Sequence, residues 1–368
     1  MLLRLFDEPY AYNARNDELY ELDEEALNFL KSCDGRFVGD EVDKDFLNFL
    51  ISEGLLVESH ESGERREIKV ISAEEPSLRY LLLNVTWLCN LRCQHCYVNQ
   101  RREFMSFETF KKTVDEFYAI GGLKLMISGG EPLLHPRIWE FLEYARKKPF
   151  RIVLLTNGLL IGEKDAVRLK GLVDEVQVSI DGIEGHEKLR GVSVETAMKA
   201  VKTLVGAGID VSVSTMVTKY NLEEFEELSE LLSECGVIRW AIDYPTTLED
   251  VVPEFDTAAE IMSKYGFGEL GHEGSGNFAC GAHFASVSPS GMVSKCGFFE
   301  DEAVGSVKEG LQKCWERLKE KYIWRVDELQ CRCEFRQDCR GGCRYRALVY
   351  SGNLFGEDPI MCRIFGRM

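Results

Sequence analysis

The sequence predicts an α/β protein built around a parallel sheet with helices outside it. Residues 78–245 alternate apolar strand-like runs with amphipathic stretches of helical length. Residues 1–60 are acidic and follow a different pattern, and residues 276–368 lose the alternation while carrying eight of the thirteen cysteines. A chain of 368 residues that is 45% hydrophobic has material for about two or three domains. The expected division is 1–66, 67–275 and 276–368.

In the first segment, residues 3–6, 10–13 and 18–21 read as short strands, the last two joined by a turn at Arg15-Asn16-Asp17. Asp23 reads as the N-cap of a helix running to about Cys33 and stopped by Asp34-Gly35. A second helix over 43–52 spaces Phe46, Phe49 and Leu50 along one face and ends at Gly54, after which 55–57 reads as a strand. This is a winged-helix-like α+β pattern. The charged stretch 59–67 reads as a linker, which makes the segment a separately attached unit.

The central strands are predicted at 81–85, 123–127, 152–155, 176–180, 211–217 and 238–242, with helices such as 107–120 and 194–205 between them. Six βα units in succession imply a parallel sheet. Such sheets keep their chemistry at the C-terminal strand ends, and the unusual residues fall there. Cys89, Cys93, His95 and Cys96 follow the first strand, and Gly129-Gly130-Glu131-Pro132 follows the second. Thr156-Asn157-Gly158 follows the third, and Ser179 and Asp181 close the fourth.

Composition excludes several classes. The net charge of −18 leaves no basic footprint for nucleic acid and no cationic surface for a membrane. No apolar run reaches the ~18–20 residues of a membrane span, and the N-terminus turns acidic too early for a signal peptide. A cytoplasmic protein is expected. Thirteen cysteines in a long chain without an export signal then point to metal ligation rather than a disulfide scaffold.

Cys89, Cys93 and Cys96 supply three thiolates from one loop, whereas ferredoxin patterns supply four to a four-iron cluster. One iron would stay open to a small molecule. A zinc knuckle completed by His95 is the plainer alternative.

The three-cysteine loop followed by Gly-Gly-Glu-Pro resembles the radical S-adenosylmethionine (SAM) superfamily over about residues 78–245. The resemblance implies a partial (β/α)6 TIM-type barrel and a cluster ligated by Cys89, Cys93 and Cys96 whose open iron is chelated by SAM. It places His95 beside the adenine, and Gly129, Gly130 and Glu131 at the methionine amino group. Ser179 and Asp181 fall at the ribose or carboxylate, and Arg190 is a weaker carboxylate candidate, otherwise a solvated surface residue.

The tail resembles the SPASM extension, which holds two auxiliary [4Fe-4S] clusters and brings the expected total to three. By that pattern Cys280, Cys296 and Cys343 hold one cluster, its fourth ligand unassigned. Cys331, Cys333, Cys339 and Cys362 hold the other. The single residue between Cys331 and Cys333 departs from the usual two, and paired zinc sites remain the alternative. Gly297 follows Cys296 where sulfatase-maturing relatives carry an acidic base, so no catalytic base is evident. Cys33, Cys235 and Cys314 read as buried spectators.

The N-terminal segment resembles peptide-binding domains that add a leader peptide as an extra strand, with a structural cap as the alternative. The resemblance therefore implies an oxidoreductase that modifies a ribosomally made peptide by hydrogen abstraction. Its partners would be a precursor peptide with a leader and an electron donor such as ferredoxin or flavodoxin. The alternatives are a tetrapyrrole enzyme of haem or haem d1 synthesis, with propionates met by Arg332, Arg336, Arg340, Arg344 and Arg346, and a non-enzymatic electron carrier or peptide scaffold.

Overall fold

The first three strands are β1 (Leu2–Leu5), β2 (Pro9–Asn13) and β3 (Glu18–Glu21), followed by helices α1 (Glu24–Ser32) and α2 (Lys44–Ser52). The structure, a computed structural model, describes residues 1–33, 43–57, 68–246, 250–266 and 277–366. Asp23 caps α1 by accepting from the Ala26 amide, and Asp43 caps α2 through the amides of Asp45 and Phe46. The helix stop at Asp34-Gly35, the linker 59–67 and the proposed domain boundaries lie outside the described residues.

Residues 55–57 do not form the expected strand. The amides of Leu55 and Leu56 both donate to the Leu50 carbonyl, closing the end of α2 instead of joining a sheet. The fourth strand is β4 (Val70–Ser72), which pairs in parallel with β1 and gives the order β3-β2-β1-β4.

All six central strands form, each within one or two residues of its predicted bounds. They are β5 (Tyr80–Asn84), β6 (Lys124–Ser128), β7 (Arg151–Thr156), β8 (Glu175–Ser179), β9 (Asp210–Met216) and β10 (Arg239–Asp243), all parallel to their neighbours. Leu81, Leu83, Ile127, Leu154, Val176 and Val213 are fully buried, as expected of strands covered on both faces. The covering helices are α3 (Phe107–Ala119), α4 (Ile138–Ala145), α5 (Glu163–Leu169), α6 (Glu184–Arg190), α7 (Val194–Gly206), α8 (Phe225–Glu234) and α9 (Phe255–Tyr265). In α3, Ser106 caps the Thr109 amide, and Phe110, Val114 and Phe117 form its buried stripe.

The tail holds more regular structure than its sequence suggested. It contains β11 (Phe284–Val287), β12 (Met292–Ser294) and β13 (Gly305–Ser306), then α10 (Leu311–Tyr322), α11 (Arg336–Cys339), α12 (Arg344–Ser351) and α13 (Pro359–Ile364). Strand β11 pairs in parallel with β5, and the hairpin beyond it extends one nine-stranded sheet, ordered β10-β9-β8-β7-β6-β5-β11-β12-β13. Its strands were missed because they are only two to four residues long.

The N-terminal segment is not loosely tethered. The buried Arg4 donates to the carbonyls of Gly121 (2.8 Å) and Gly122 (3.1 Å), and Arg151 donates to that of Ala14 (3.0 Å). Lys124, Arg151, Glu175 and Arg239 are the first residues of their strands. The segment therefore packs on the N-terminal end of the barrel, opposite the cysteine loop. Among the described residues no helix is long and apolar enough to cross a membrane.

Candidate active site

The cysteine loop leaves β5 and is tied down on two sides. Gln94 donates through its amide to the Leu189 carbonyl (3.0 Å) and through its side chain to that of Lys188 (2.8 Å), fixing the loop to α6. Asn157, beyond β7, donates to Asn90 Oδ1 at 2.8 Å.

Against this loop lie Gly129 and Gly130. The Gly130 amide donates to the Thr86 carbonyl and the Glu131 amide to that of Leu88, both at 2.8 Å. A Cβ on Gly129 would sit 2.2 Å from the Thr86 oxygen, and one on Gly130 2.4 Å from the Leu88 oxygen. Gly129 also has φ +145°. The two glycines let two strand ends meet backbone to backbone.

The Glu131 carboxylate is fully buried and already has protein partners. It accepts from the Asn157 amide (2.9 Å), the Thr156 hydroxyl (2.9 Å) and the Leu133 amide (3.1 Å). Burial raises its pKa to about 7 against these three donors. This carboxylate joins the Gly-Gly-Glu turn to the end of β7. The sequence marked Thr156 and Asn157 as unusual without showing which carboxylate they hold.

Asp181 is buried where β8 ends. Its Oδ1 accepts from the Met216 amide (2.8 Å) and its Oδ2 from Arg190 Nε (2.6 Å). Burial alone would raise its pKa, but Arg190 and His95 outweigh that and hold it low. Arg190 is not a solvated surface residue: its side chain is 9% exposed, and its Nη1 lies 3.9 Å from Cys93 Sγ. His95 Nε2 is 3.9 Å from Asp181 Oδ2, and its buried Nδ1 lacks a hydrogen-bond partner. Ser179 is the half-buried last residue of β8. Asn221, which the sequence did not single out, donates to the carbonyls of Asp181 and Met216, both at 2.9 Å.

The tail cysteines fall into two neighbourhoods, and all thirteen cysteines are free thiols. Cys343 shares a side-chain hydrogen bond with Cys280, which with burial raises its thiol pKa, and Cys296 is pushed up to about 12 by burial with Cys343 beside it. These three line a cavity of about 430 Å³ together with Phe298, Phe299, Trp324 and Tyr345. Cys362 is pushed up to about 11 by burial, with Asp358, Cys339, Cys331 and Cys333 adding to the effect. The buried Arg344 donates through Nη1 to the carbonyls of Leu354 (3.0 Å) and Gly356 (2.8 Å), while its Nη2 lacks a partner. Asp358 receives the Cys343 amide (2.8 Å) and Arg346 Nη2 (2.7 Å), fixing Cys343 in place.

The cradle suits the expected groups. On the three-cysteine loop Cys93 stands beside the buried Arg190, His95 offers an unpaired ring nitrogen, and Cys280, Cys296 and Cys343 border one cavity. Among the described residues no three His, Cys, Asp or Glu side chains gather closely enough to hold a single metal ion.

The sequence profile described as "Radical SAM superfamily" matches residues 83–232. The chain is 27% identical over 339 residues to the AdoMet-dependent heme synthase of Nitratidesulfovibrio vulgaris, covering 77% of this chain and 92% of that protein. It is 27% identical over 343 residues to the antilisterial bacteriocin subtilosin biosynthesis protein AlbA of Bacillus subtilis, covering 83% and 75%. Its fold is similar to the crystal structure of Streptococcus suis SuiB bound to precursor peptide SuiA, with TM-score 0.72, 17% identity and 98% of both chains covered. The chain carries a radical SAM domain over residues 83–232 and is a radical SAM enzyme. The tail beyond that domain, residues 276–368, carries eight of the thirteen cysteines.

Proposed function

We propose that this enzyme modifies a ribosomally made peptide that its N-terminal domain recruits. The observation that carries the reading is the four-stranded N-terminal sheet. Among the described residues its β3 edge has no outer partner strand, which suits strand addition by an extended leader. The fold match over the full chain, N-terminal domain included, is to a protein crystallised with its precursor peptide.

Cys89, Cys93 and Cys96 would hold the SAM-binding cluster, Cys280, Cys296 and Cys343 a first auxiliary cluster, and Cys331, Cys333, Cys339 and Cys362 a second. Bound there, SAM and its cluster supply a one-electron bond cleavage that yields a hydrogen-abstracting radical. The chain's own residues do the positioning. Gly129 and Gly130 keep the loop backbone in reach of the methionine end, and His95 offers its ring beside the adenine. Phe298, Phe299, Trp324 and Tyr345 give the neighbouring cavity an aromatic wall.

The relationship to a haem synthase keeps a tetrapyrrole substrate as the second reading. The cavity wall weighs against it. Lys124 is bound to Asp17, Lys295 to the Gly281 carbonyl, and Arg346 to Asp243 and Asp358. Of the five tail arginines only Arg344 and Arg346 line the cavity. One unpaired Nη2 on Arg344 is a poor match for several propionates.

The deciding experiment is anaerobic incubation with SAM, reductant and the short peptide encoded beside the gene, read by mass spectrometry. A fixed mass loss on the peptide is expected. An unchanged peptide, with turnover of an iron-coproporphyrin offered in parallel, would establish the second reading.

A further inference from the structure

Asp181 and Arg190 form a buried ion pair beside the cysteine loop. Asp181 is held from several sides: Met216 and Arg190 engage its carboxylate, its amide donates to His186 Nδ1 (3.2 Å), and Asn221 takes its carbonyl. A carboxylate fixed in this way fixes whatever it grips. Arg190 ends α6, and its Nε is directed to Asp181 Oδ2 at 2.6 Å. A guanidinium is planar, so anchoring one edge sets the direction of the others. Here Nη1 comes to 3.9 Å from Cys93 Sγ. The titratable groups around it are Asp181, His95, His186 and the loop thiols.

We propose that Asp181 holds Arg190 as a fixed cation against the Cys93 thiolate, stabilising the reduced form of the cluster carried by that loop. The inference rests on the assignment of Cys93 as a cluster ligand. A hydrogen-bond donor and a positive charge beside a ligating sulfur favour the state with the extra electron and raise the reduction potential. The guanidinium is close to the sulfur and almost dry, so solvent screens it little. Arg190 is thus a positioning residue that acts on the cluster before any SAM arrives, and Asp181 acts through it.

The test is a potentiometric titration of the reconstituted full-length protein without SAM, followed by electron paramagnetic resonance. The relevant cluster is the one whose signal changes when SAM is later added. In Arg190→Gln, with iron content matched to wild type, the reduced-to-oxidised ratio at the wild-type midpoint should fall about threefold or more. Arg190→Lys, which keeps the charge but loses the planar fork, should fall between the two. Arg190→Met replaces the glutamine variant if that fails to assemble. An unchanged midpoint overturns the proposal, and an unchanged midpoint with weaker SAM binding assigns Arg190 to the SAM carboxylate instead. A wild-type protein with no SAM-responsive signal would overturn the cluster assignment itself.

Discussion

Asp17 Oδ2 meets Lys124 Nζ at 2.5 Å, joining the β2–β3 turn to the first residue of β6 across 107 positions of sequence. Tyr12 donates to Oδ1 of the same carboxylate (2.6 Å), and Arg239 Nη1 stands 3.7 Å from Oδ2. Next to this cluster, Arg151 pairs with Glu175 at 2.6 Å. The N-terminal domain thus closes the base of the barrel with buried charge.

Asp17→Asn should destabilise the protein by about 3 kcal/mol, the scale for removing one partner of a buried ion pair. Burial would raise the Asp17 pKa, but Lys124, Tyr12 and Arg151 together outweigh it and hold it below the ordinary aspartate value of 3.8. The stabilisation from Asp17 is therefore present above that value and is lost as pH falls through the lower folded pKa. Urea unfolding at pH 7 and pH 3 should show the two proteins converging at the acid end.

Deleting residues 1–66 should cost more than peptide recognition. The deletion takes Asp17 from Lys124 and the Ala14 carbonyl from Arg151, exposes the base of the barrel, and leaves β4 without β1. A lower melting temperature and poor retention of iron are expected. A truncated protein with wild-type stability and iron content would show that the domain is an independent module.

Gly129→Ala should remove the SAM-binding cluster, because the methyl group overlaps the Thr86 carbonyl that orders the cysteine loop. With three cubane clusters the wild type carries about twelve irons, and the variant should retain about eight with no SAM cleavage. Full iron content in Gly129→Ala would separate the turn from the cluster.

Glu131 should make the apoprotein less stable as pH rises. Its folded pKa of about 7 lies above the ordinary glutamate value of 4.5, so its contribution is complete below 4.5 and is lost as pH rises through about 7. The size is of the order of 3 kcal/mol. The stability of wild type relative to Glu131→Gln should therefore decline between pH 4.5 and 8. A pH-independent difference would mean that the three donors fully offset burial.

Much of this was legible because parallel strands buried on both faces read as apolar runs, as 152–155 does. The strand starts were less so. Lys124, Arg151, Glu175 and Arg239 look like turn residues, and it takes the distant Asp17 beside Lys124, Arg151 and Arg239, with the Arg151–Glu175 pair, to explain why charges gather there. The site motifs were visible as motifs, but their partners were not. That Glu131 faces Thr156, or that Arg190 faces both Asp181 and Cys93, depends on how strand ends converge. Local pattern carries no trace of that. The 55–57 run failed because its amides close α2, a capping event that apolar character cannot reveal.

The pairing of β11 with β5 also has a consequence for the nascent chain. Leu83 leaves the ribosome early, yet its neighbour Val287 is synthesised about two hundred residues later. At ~5–20 residues per second the interval is roughly 10–40 s. Throughout it, one edge of the growing sheet presents unpaired amides and carbonyls beside the three-cysteine loop, an invitation to mispairing with other chains. Slow translation or early truncation should therefore favour aggregation, and cluster loading of the first loop would compete with that loss during synthesis itself.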